Sequence, residues 1–254
     1  KAPVIFEIRG HGDYVPSIEM IEREAKREVF DLHTHTLYSA CGIDRPEKVI
    51  STAIENGVKL VGITDHSYGI GDRKASYIRK IRDLAPKYSD RIKVLCGIEI
   101  PTLPNMFDIK DPQEIADCDY ALIEHISNKD SLAYEDPIGF CKKMKIRCGI
   151  AHTDLFAYAA ERGLDPLTFF KQLADAGIFW ELNMAYDSIH KFQKHTYVDD
   201  LLRDKDKQRI VLESGLRIGI GSDCHRKEEY PTARLYEIYD FLAGNGFPMA
   251  DECF

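Results

Sequence analysis

The sequence lacks the features that mark secreted, membrane-spanning and nucleic-acid-binding proteins. Its seven cysteines include no Cys-x-x-Cys pair, and an odd, scattered set favours free intracellular thiols over a disulfide framework. No apolar run is long enough to span a bilayer, and the acidic start does not resemble a signal or transit peptide. A formal net charge of −8 argues against a basic surface for nucleic-acid phosphates. We therefore expect a cytoplasmic protein that has neither membrane nor nucleic acid as its partner.

The sequence also lacks a Gly-x-Ser-x-Gly elbow, and no cysteine–histidine arrangement stands out, which disfavours covalent catalysis. A short apolar run at residues 29–35 instead ends in two histidines, His33 and His35, separated by one residue. Side chains at i and i+2 of a strand point to the same face, so both rings can aim at one point. Imidazole is the commonest metal ligand in proteins, and the pair predicts part of a metal site.

Short apolar runs alternate with helix-like segments along the rest of the chain. This alternation predicts a parallel sheet with helices between its strands, and periodicity alone leaves open whether the sheet is open or closed. The predicted strands are 29–33, 59–64, 92–98, 119–124, 147–151, 178–183 and 217–221. The predicted helices are 46–56, 74–88, 131–145, 165–176, 199–214 and 231–243, preceded by one that opens at Ser17.

Histidines and carboxylates collect at the carboxyl ends of these predicted strands, which face one crevice in α/β folds. The set comprises His33, His35, Asp65, His66, Glu99, His125, His152, Asp223 and His225. Holding so many partly buried imidazoles and carboxylates together without a cation would be costly. Because the set exceeds the coordination of one ion and mixes nitrogen with oxygen, we expect two or three divalent transition-metal ions, zinc, manganese or iron.

Six ordered motifs within residues 29–225 resemble those of the polymerase and histidinol phosphatase (PHP) superfamily. They are Asp-Leu-His-Thr-His-Thr, Ile-Thr-Asp-His, Gly-Ile-Glu, Glu-His-Ile-Ser, Ile-Ala-His-Thr and Gly-Ser-Asp-Cys-His-Arg. The resemblance implies a distorted, TIM-like (β/α)7 barrel with a trinuclear metal centre and phosphoesterase chemistry. Glu-Leu-Asn at 181–183 resembles the Glu-Ile-Asn strand of the stand-alone phosphatases. We expect an N-terminal extension with a helix at 1–28 and the phosphoesterase barrel at 29–254.

The resemblance also distributes the metal ligands. The first ion would lie on His33, His35, Glu99 and Asp223, the second on Glu99, His125 and His152, and the third on His66 and His225. Family members usually add a histidine or aspartate from the loop after the first strand, where this chain has Cys41, with Asp44 three residues beyond. Four alternatives stay open: Cys41 as a thiolate ligand that favours zinc, Asp44 as the ligand, an empty third site, and Cys41 as a buried structural residue.

Two bridging ions would lower the pKa of a water held between them, so the expected nucleophile is hydroxide. Asp223 is a candidate for orienting that water. Asp65 is a second candidate catalytic residue, either as a partner of a ligand histidine or, alternatively, as a cap on the next turn. The candidate substrate contacts are Asn183, Arg226, Arg45 and Arg73, of which each arginine is otherwise a solvated surface charge. His190 and His195 are expected to be surface or lid residues.

The leading prediction is a hydrolase of phosphoric esters: a phosphomonoesterase acting on a small phosphorylated metabolite, with histidinol phosphate as one family option. Two alternatives remain. One is a nucleotide phosphodiesterase or exonuclease, which the acidic balance disfavours. The other is a metal-binding regulatory module without catalysis. The oligomeric state is open.

Overall fold

The computed structural model describes residues 27–185, 187–192 and 194–254. Apart from its last two residues, the predicted extension 1–28 lies outside the described residues, together with its helix. Seven parallel strands form one sheet whose order follows the chain. The strands are β1 (Phe30–Thr34), β2 (Leu60–Ile63), β3 (Lys93–Pro101), β4 (Tyr120–Glu124), β5 (Cys148–Ile150), β6 (Phe179–Asn183) and β7 (Ile218–Gly221).

The sheet curls until its first and last strands meet. Thr34 in β1 forms an isolated bridge with Cys224, just beyond β7. The amide of Asp223 donates to the carbonyl of His33 at 2.8 Å, and the amide of His35 donates to the carbonyl of Cys224 at 3.0 Å. Seven parallel strands therefore form a nearly closed barrel with helices between them, which confirms the predicted fold class.

Helices follow most of the strands. They are α1 (Pro46–Glu55), α2 (Ser67–Ile70), α3 (Lys74–Tyr88), α4 (Pro137–Lys143), α5 (Leu155–Glu161), α6 (Pro166–Asp175), α7 (Thr196–Arg203), α8 (Lys205–Ser214) and α9 (Thr232–Gly244). The start of α6 follows directly from the sequence, because Asp165 accepts a hydrogen bond from the amide of Thr168 and Pro166 occupies the first turn. Within the described residues, none of these helices is long and apolar enough to cross a membrane.

Two helical predictions were wrong in detail, and two short helices were not predicted. The segment 131–145 is helical only in α4, because Asp136 caps that helix and the residues before it form turns. The segment 199–214 is two helices, because Asp204 leaves the helical conformation at ψ 107° and caps α8 with its side chain. The short helices α2 and α5 were missed, the second of which is capped by Asp154.

The amino end of the barrel is filled by aromatic packing. Tyr120 inserts between strands at positions where only glycine leaves room: a Cβ built on Gly62 or Gly97 would lie 1.8 or 2.8 Å from a Tyr120 atom. The Tyr120 hydroxyl donates to the carbonyl of Leu32 at 2.5 Å, and the ring of Phe254 packs against Tyr120 at a centroid distance of 5.1 Å. The histidines and carboxylates predicted to bind metal lie at or just beyond the opposite, carboxyl ends of the strands.

Candidate metal centre

Five predicted ligands from four strands converge at the carboxyl end of the barrel. The Nε2 atoms of His33 and His35 lie 3.0 Å apart, and Glu99 Oε2 is 3.3 and 3.4 Å from them. Asp223 Oδ1 is 2.9 Å from His35 Nε2. On the other side, His152 Nε2 lies 3.3 Å from Glu99 Oε1 and 3.1 Å from Asp223 Oδ2. We refer to these five residues as the candidate metal centre.

Three predicted ligands that follow strand ends have strained backbone conformations. His125, His152 and Asp223 have φ values of 66°, 50° and 54°, in the left-handed region that side chains other than glycine rarely adopt. Each such residue costs about 1–3 kcal/mol and persists only where the surrounding structure enforces it. Strain of this kind concentrates at functional sites, and here it occurs just after β4, β5 and β7, as well as at Ala185 after β6 and at Lys145 before β5.

Carboxylates that the sequence analysis missed fix the orientation of two histidine rings. Glu181 Oε1 lies 2.6 Å from His33 Nδ1, and Asp187 Oδ2 lies 3.0 Å from His225 Nδ1. A metal-ligating histidine commonly uses one ring nitrogen in this way and presents the other to the metal. Glu181 had a signal in the sequence, since it stands two residues before Asn183 on the same face of one strand.

Asp65, predicted to be catalytic, lies beneath the loop that follows β1. Its Oδ1 accepts hydrogen bonds from the amide of Thr36 at 2.7 Å and from the hydroxyl of Ser39 at 2.6 Å. Ser39 Oγ is in turn 3.1 Å from Nδ1 of His35. Burial raises the pKa of Asp65 above its ordinary value, although these hydrogen bonds oppose the shift. Asp65 thus anchors the loop and reaches a predicted ligand histidine through one intervening hydroxyl.

The buried histidines and carboxylates of the candidate metal centre shift one another's pKa values. Burial lowers the pKa of His33, but Glu181, Glu99 and Asp223 outweigh burial and raise that pKa well above its ordinary value. Burial lowers the pKa of His35 to about 3. Burial raises the pKa of Glu99 and of Asp223, yet the neighbouring histidines hold both well below their ordinary values. Two buried carboxylates are therefore ionised among imidazoles, an arrangement that a divalent cation suits.

Buried polar atoms without hydrogen-bond partners support the same conclusion. Among the described residues, both carboxylate oxygens of Glu99 and Nε2 of His152 make no hydrogen bond, although ring nitrogens or carboxylate oxygens lie 2.8 to 3.3 Å from them in directions unsuited to one. Buried polar groups normally have partners, so a cluster of orphaned ligand atoms fits a metal site. The donor atoms of His33, His35 and Glu99 all lie within 4.8 Å of one another, as do those of His33, His152 and Asp223. The residues present thus fit divalent transition-metal ions.

A second group of donors lies beside the first. The donor atoms of His35, Cys41, His66 and His225 all lie within 4.8 Å of one another, and we call this group the thiol cluster. Burial raises the pKa of Cys41, but hydrogen bonds with His225 and His66 outweigh burial and lower it to about 7. His66 Nδ1 lies 2.8 Å from Glu99 Oε2, which connects the thiol cluster to the candidate metal centre.

His125 and Asn183 lie next to these groups. His125 Nε2 is 3.3 Å from Glu124 Oε2, and His125 belongs to no potential metal cluster among the described residues. The side-chain nitrogen of Asn183 lies 3.2 Å from Glu181 Oε2 and 3.4 Å from Asp223 Oδ2. The Asn183 side chain thus contacts two carboxylates of the site and, at 3.4 Å, Nδ1 of His33. The ligand role of His125 stays a prediction.

The three predicted arginines occupy different environments. Arg226 is half-buried beside His225, and its Nε atom is buried without a hydrogen-bond partner among the described residues. Arg73 donates to two carbonyls of α2, and Arg45 is exposed at the N-terminus of α1. Arg226 is therefore the predicted arginine whose surroundings best fit a substrate contact.

The loop after β6 contributes two further histidines. His190 Nδ1 lies 2.8 Å from Asp187 Oδ1, and its Nε2 lies 3.4 Å from Asp223 Oδ2. The ring of His195 stacks on that of His152 at 6.0 Å and lines a cavity of about 500 Å³ that Asn183 also lines. Both histidines, predicted to be surface or lid residues, are thus direct neighbours of the candidate metal centre.

Comparisons with known proteins agree with this geometry. A family model described as the PHP domain matches residues 31–218. A probable phosphatase of Proteus mirabilis is 24% identical over 227 residues, which cover 86% of each chain. The structure of a histidinol phosphate phosphatase from Lactococcus lactis, complexed with zinc, L-histidinol and phosphate, superposes with a TM-score of 0.59 at 18% identity and covers 87% of this chain and 95% of its own. The chain belongs to the PHP domain family.

Proposed function

We propose that this chain is a metal-dependent phosphomonoesterase, a hydrolase that releases phosphate from a small phosphorylated metabolite. The observation that carries the proposal is the buried carboxylate of Glu99, whose two oxygens face histidines on both sides and have no hydrogen-bond partner among the described residues. The similarity to a probable phosphatase and to a histidinol phosphate phosphatase supports the reaction class.

The ligands divide naturally around Glu99. His33 and His35 would hold one ion with Glu99 Oε2 and Asp223 Oδ1, and His152 would hold a second with Glu99 Oε1 and Asp223 Oδ2. Divalent ions bound there supply Lewis acidity, which lowers the pKa of water and offsets the charge of a phosphoryl group.

The side chains around the ligands preorganise them. Glu181 holds the ring of His33, and the Asn183 amide lies between Glu181 and Asp223, so all three are fixed relative to one another. Asp223 directs its two oxygens to different histidines, His35 and His152. We infer that Asp223 both binds metal and accepts a hydrogen bond from the attacking water, which orients the water toward phosphorus.

The surroundings favour a small monoester over a nucleic acid. Arg226 offers one half-buried cation for the phosphate, and arginine suits phosphate oxygens through paired N–H donors. The cavity of about 500 Å³ beside Asn183 and His195 has the size of a small-molecule site. The Lactococcus lactis enzyme was crystallised with L-histidinol and phosphate, so histidinol phosphate is the first substrate to test.

The test is a substrate screen on protein loaded in turn with zinc, manganese and iron. The panel comprises histidinol phosphate, sugar phosphates, an aryl phosphate, mononucleotides and a single-stranded oligonucleotide. We expect phosphate release from at least one small monoester, lost on chelation and restored by metal. Release of nucleoside monophosphates from the oligonucleotide without monoesterase activity would establish an exonuclease instead. Bound metal with no turnover of any substrate would establish a non-catalytic metal-binding module.

A further inference from the structure

Cys41 differs from the other cysteines of the chain in its position. Five cysteines are buried, and Cys253 is half-buried at the amino end of the barrel, where it lines a surface cavity with Lys93 and Phe254. Cys41 is also half-buried, but it lies at the carboxyl end with its sulfur in the thiol cluster. A structural cysteine in a core would be fully enclosed by apolar atoms, whereas imidazoles surround this sulfur.

The loop that carries Cys41 is held on both sides of that residue. On one side, Ser39 is bound to the carboxylate of Asp65 through its amide at 3.0 Å and its hydroxyl at 2.6 Å. On the other side, the amide of Ile43 donates to the carbonyl of His225 at 3.3 Å. Gly42 permits the tight path between these anchors, since a Cβ there would lie 2.3 Å from a backbone oxygen. The sulfur is therefore presented to the histidines by a built loop, as a metal site requires.

The alternative ligand, Asp44, is engaged elsewhere. Its Oδ2 accepts a hydrogen bond from the amide of Lys227 at 2.9 Å, and its carbonyl accepts one from the amide of Leu37 at 2.8 Å. Asp44 belongs to none of the potential metal clusters among the described residues. The hydrogen bonds of Asp44 join the loops after β1 and β7. Cys41 is therefore the residue of the loop after β1 that can supply a metal-binding atom.

The thiol cluster also contains no carboxylate, unlike the candidate metal centre. His35 has its Nδ1 beside Ser39, and its Nε2 is 3.0 Å from His33 Nε2 and 2.9 Å from Asp223 Oδ1. Since one nitrogen cannot serve two ions, we assign His35 to the candidate metal centre. The donors that remain beside Cys41 are His66 and His225, and His66 Nδ1 also lies 2.8 Å from Glu99 Oε2 and 3.4 Å from Glu124 Oε1. Because the thiolate is the soft donor of this set, it favours zinc over manganese.

We propose that Cys41, His66 and His225 form a thiolate-containing site that selects zinc, beside carboxylate-rich sites that also accept harder ions such as manganese. Binding forms a zinc–sulfur bond, and the thiol proton is released to solvent. The inference rests on the metal centre of the proposed function, but none of its tests uses phosphatase turnover. An active phosphatase without this site would overturn the inference alone.

The first test replaces the native metal with cobalt(II), which reports sulfur coordination through a thiolate-to-metal charge-transfer band in the near ultraviolet. We expect the band in cobalt-loaded wild-type protein, its loss in Cys41→Ser, and its retention in Cys253→Ser, the control at the other half-buried cysteine. Absence of the band from the wild type, or an unchanged band in Cys41→Ser, would overturn the proposal.

The second test counts ions by elemental analysis. Cys41→Ser should bind one zinc ion fewer per chain than the wild type or Cys253→Ser. Cys41→Asp, which supplies a hard ligand at the same place, should bind one manganese ion more per chain than the wild type. Equal zinc contents in wild type and Cys41→Ser, or a manganese content unaffected by Cys41→Asp, would contradict thiolate-based selection.

Discussion

The two ends of the barrel are built from different interactions. At the amino end, Tyr120 and Phe254 pack ring against ring, and Arg217 pairs with Glu252 at 2.6 Å near the start of β7. At the carboxyl end, the candidate metal centre places ionised carboxylates among histidines, with several buried atoms unpartnered. The amino end therefore contributes mainly to stability through packing. The carboxyl end brings ligands together at the cost of burying charged and polar groups.

The backbone shows the same division. Before β2, β6 and β7 the chain adopts left-handed conformations at Gly57, Gly177 and Gly215, where glycine carries no steric cost. After β5 and β7 the left-handed positions are His152 and Asp223, which do carry that cost. The contrast is partial, because Lys145 before β5 is also left-handed, as are Ala185, Lys191 and Phe192 after β6. Substitutions and pH changes at either end of the barrel test this contrast.

The largest effect is expected from Glu99→Ala. The substitution removes the carboxylate that lies between the histidines of β1 and His152. Activity should therefore fall by at least about 100-fold, and the metal content should fall below that of the wild type. Phosphate release and elemental analysis measure the two effects. Glu213→Ala, at an exposed position near the end of α8, is the control and should change neither. Full activity and full metal content in Glu99→Ala would remove Glu99 as a bridging ligand.

A smaller effect is expected from Glu181→Gln, which keeps the shape of the side chain and removes its charge. Because Glu181 fixes the ring of His33 and has no ligand role of its own, metal affinity or turnover should fall by about 10- to 100-fold. Competition with a chromophoric chelator measures the affinity. Unchanged affinity and turnover would show that His33 is oriented without this carboxylate.

The pH dependence of metal binding follows from the raised pKa values in the metal-free protein. Burial lowers the pKa of His152 and of His225, but Asp223 raises the first to about 9 and Asp187 raises the second to about 10. Each proton that metal must displace makes the affinity rise by about tenfold per pH unit up to that range.

The stability of the metal-free protein should change in the opposite direction with pH. Protonated His152 and His225 stabilise the fold fully below their unfolded-state pKa of about 6.5, and this contribution is lost as the pH rises through about 9 to 10. Chelator competition and denaturant unfolding between about pH 6.5 and 9.5 measure both trends. Metal affinity that is constant over this interval would contradict the proton balance.

The smallest effect is expected at the amino end. Gly177→Ala meets no neighbouring atom but forces a side chain into φ 69°, so the free energy of unfolding should fall by about 1 kcal/mol with metal content unchanged. Gly244→Ala is the matched control, because Gly244 ends α9 in open space, and alanine there should be neutral or stabilising. A loss of metal in Gly177→Ala would show that the two ends of the barrel are coupled.

Much of the fold was predictable because buried strands differ sharply from their surroundings in composition. β6 was predicted at 178–183 and lies at Phe179–Asn183, and β5 was predicted at 147–151 and lies at Cys148–Ile150. Parallel topology then implied that the strand ends meet, which placed His33 near His152 although 119 residues separate them. The break at Asp204 escaped prediction, because a polar residue within an amphipathic segment reads equally well as a helical surface position.

The partners of the ligands were much less predictable. Glu181 and Asp187 act through contacts with rings 148 and 38 residues away. The position of Glu181 on the face of Asn183 places it near the site, but no local pattern encodes which histidine either carboxylate meets. The left-handed backbone at His152 and Asp223 is equally invisible, because those residue types are common in ordinary strands and loops. Composition and spacing thus identified the metal-ligand donors, whereas their orientation depends on contacts between residues that are far apart in the sequence.

The most direct test of the account is anomalous X-ray diffraction from crystals of the metal-loaded protein, measured on both sides of the metal absorption edge. We expect at least two anomalous peaks at the carboxyl end of the barrel, each within bonding distance of a Glu99 oxygen. Peaks confined to other parts of the molecule, or no peak beside Glu99 in crystals that contain the metal, would contradict this expectation.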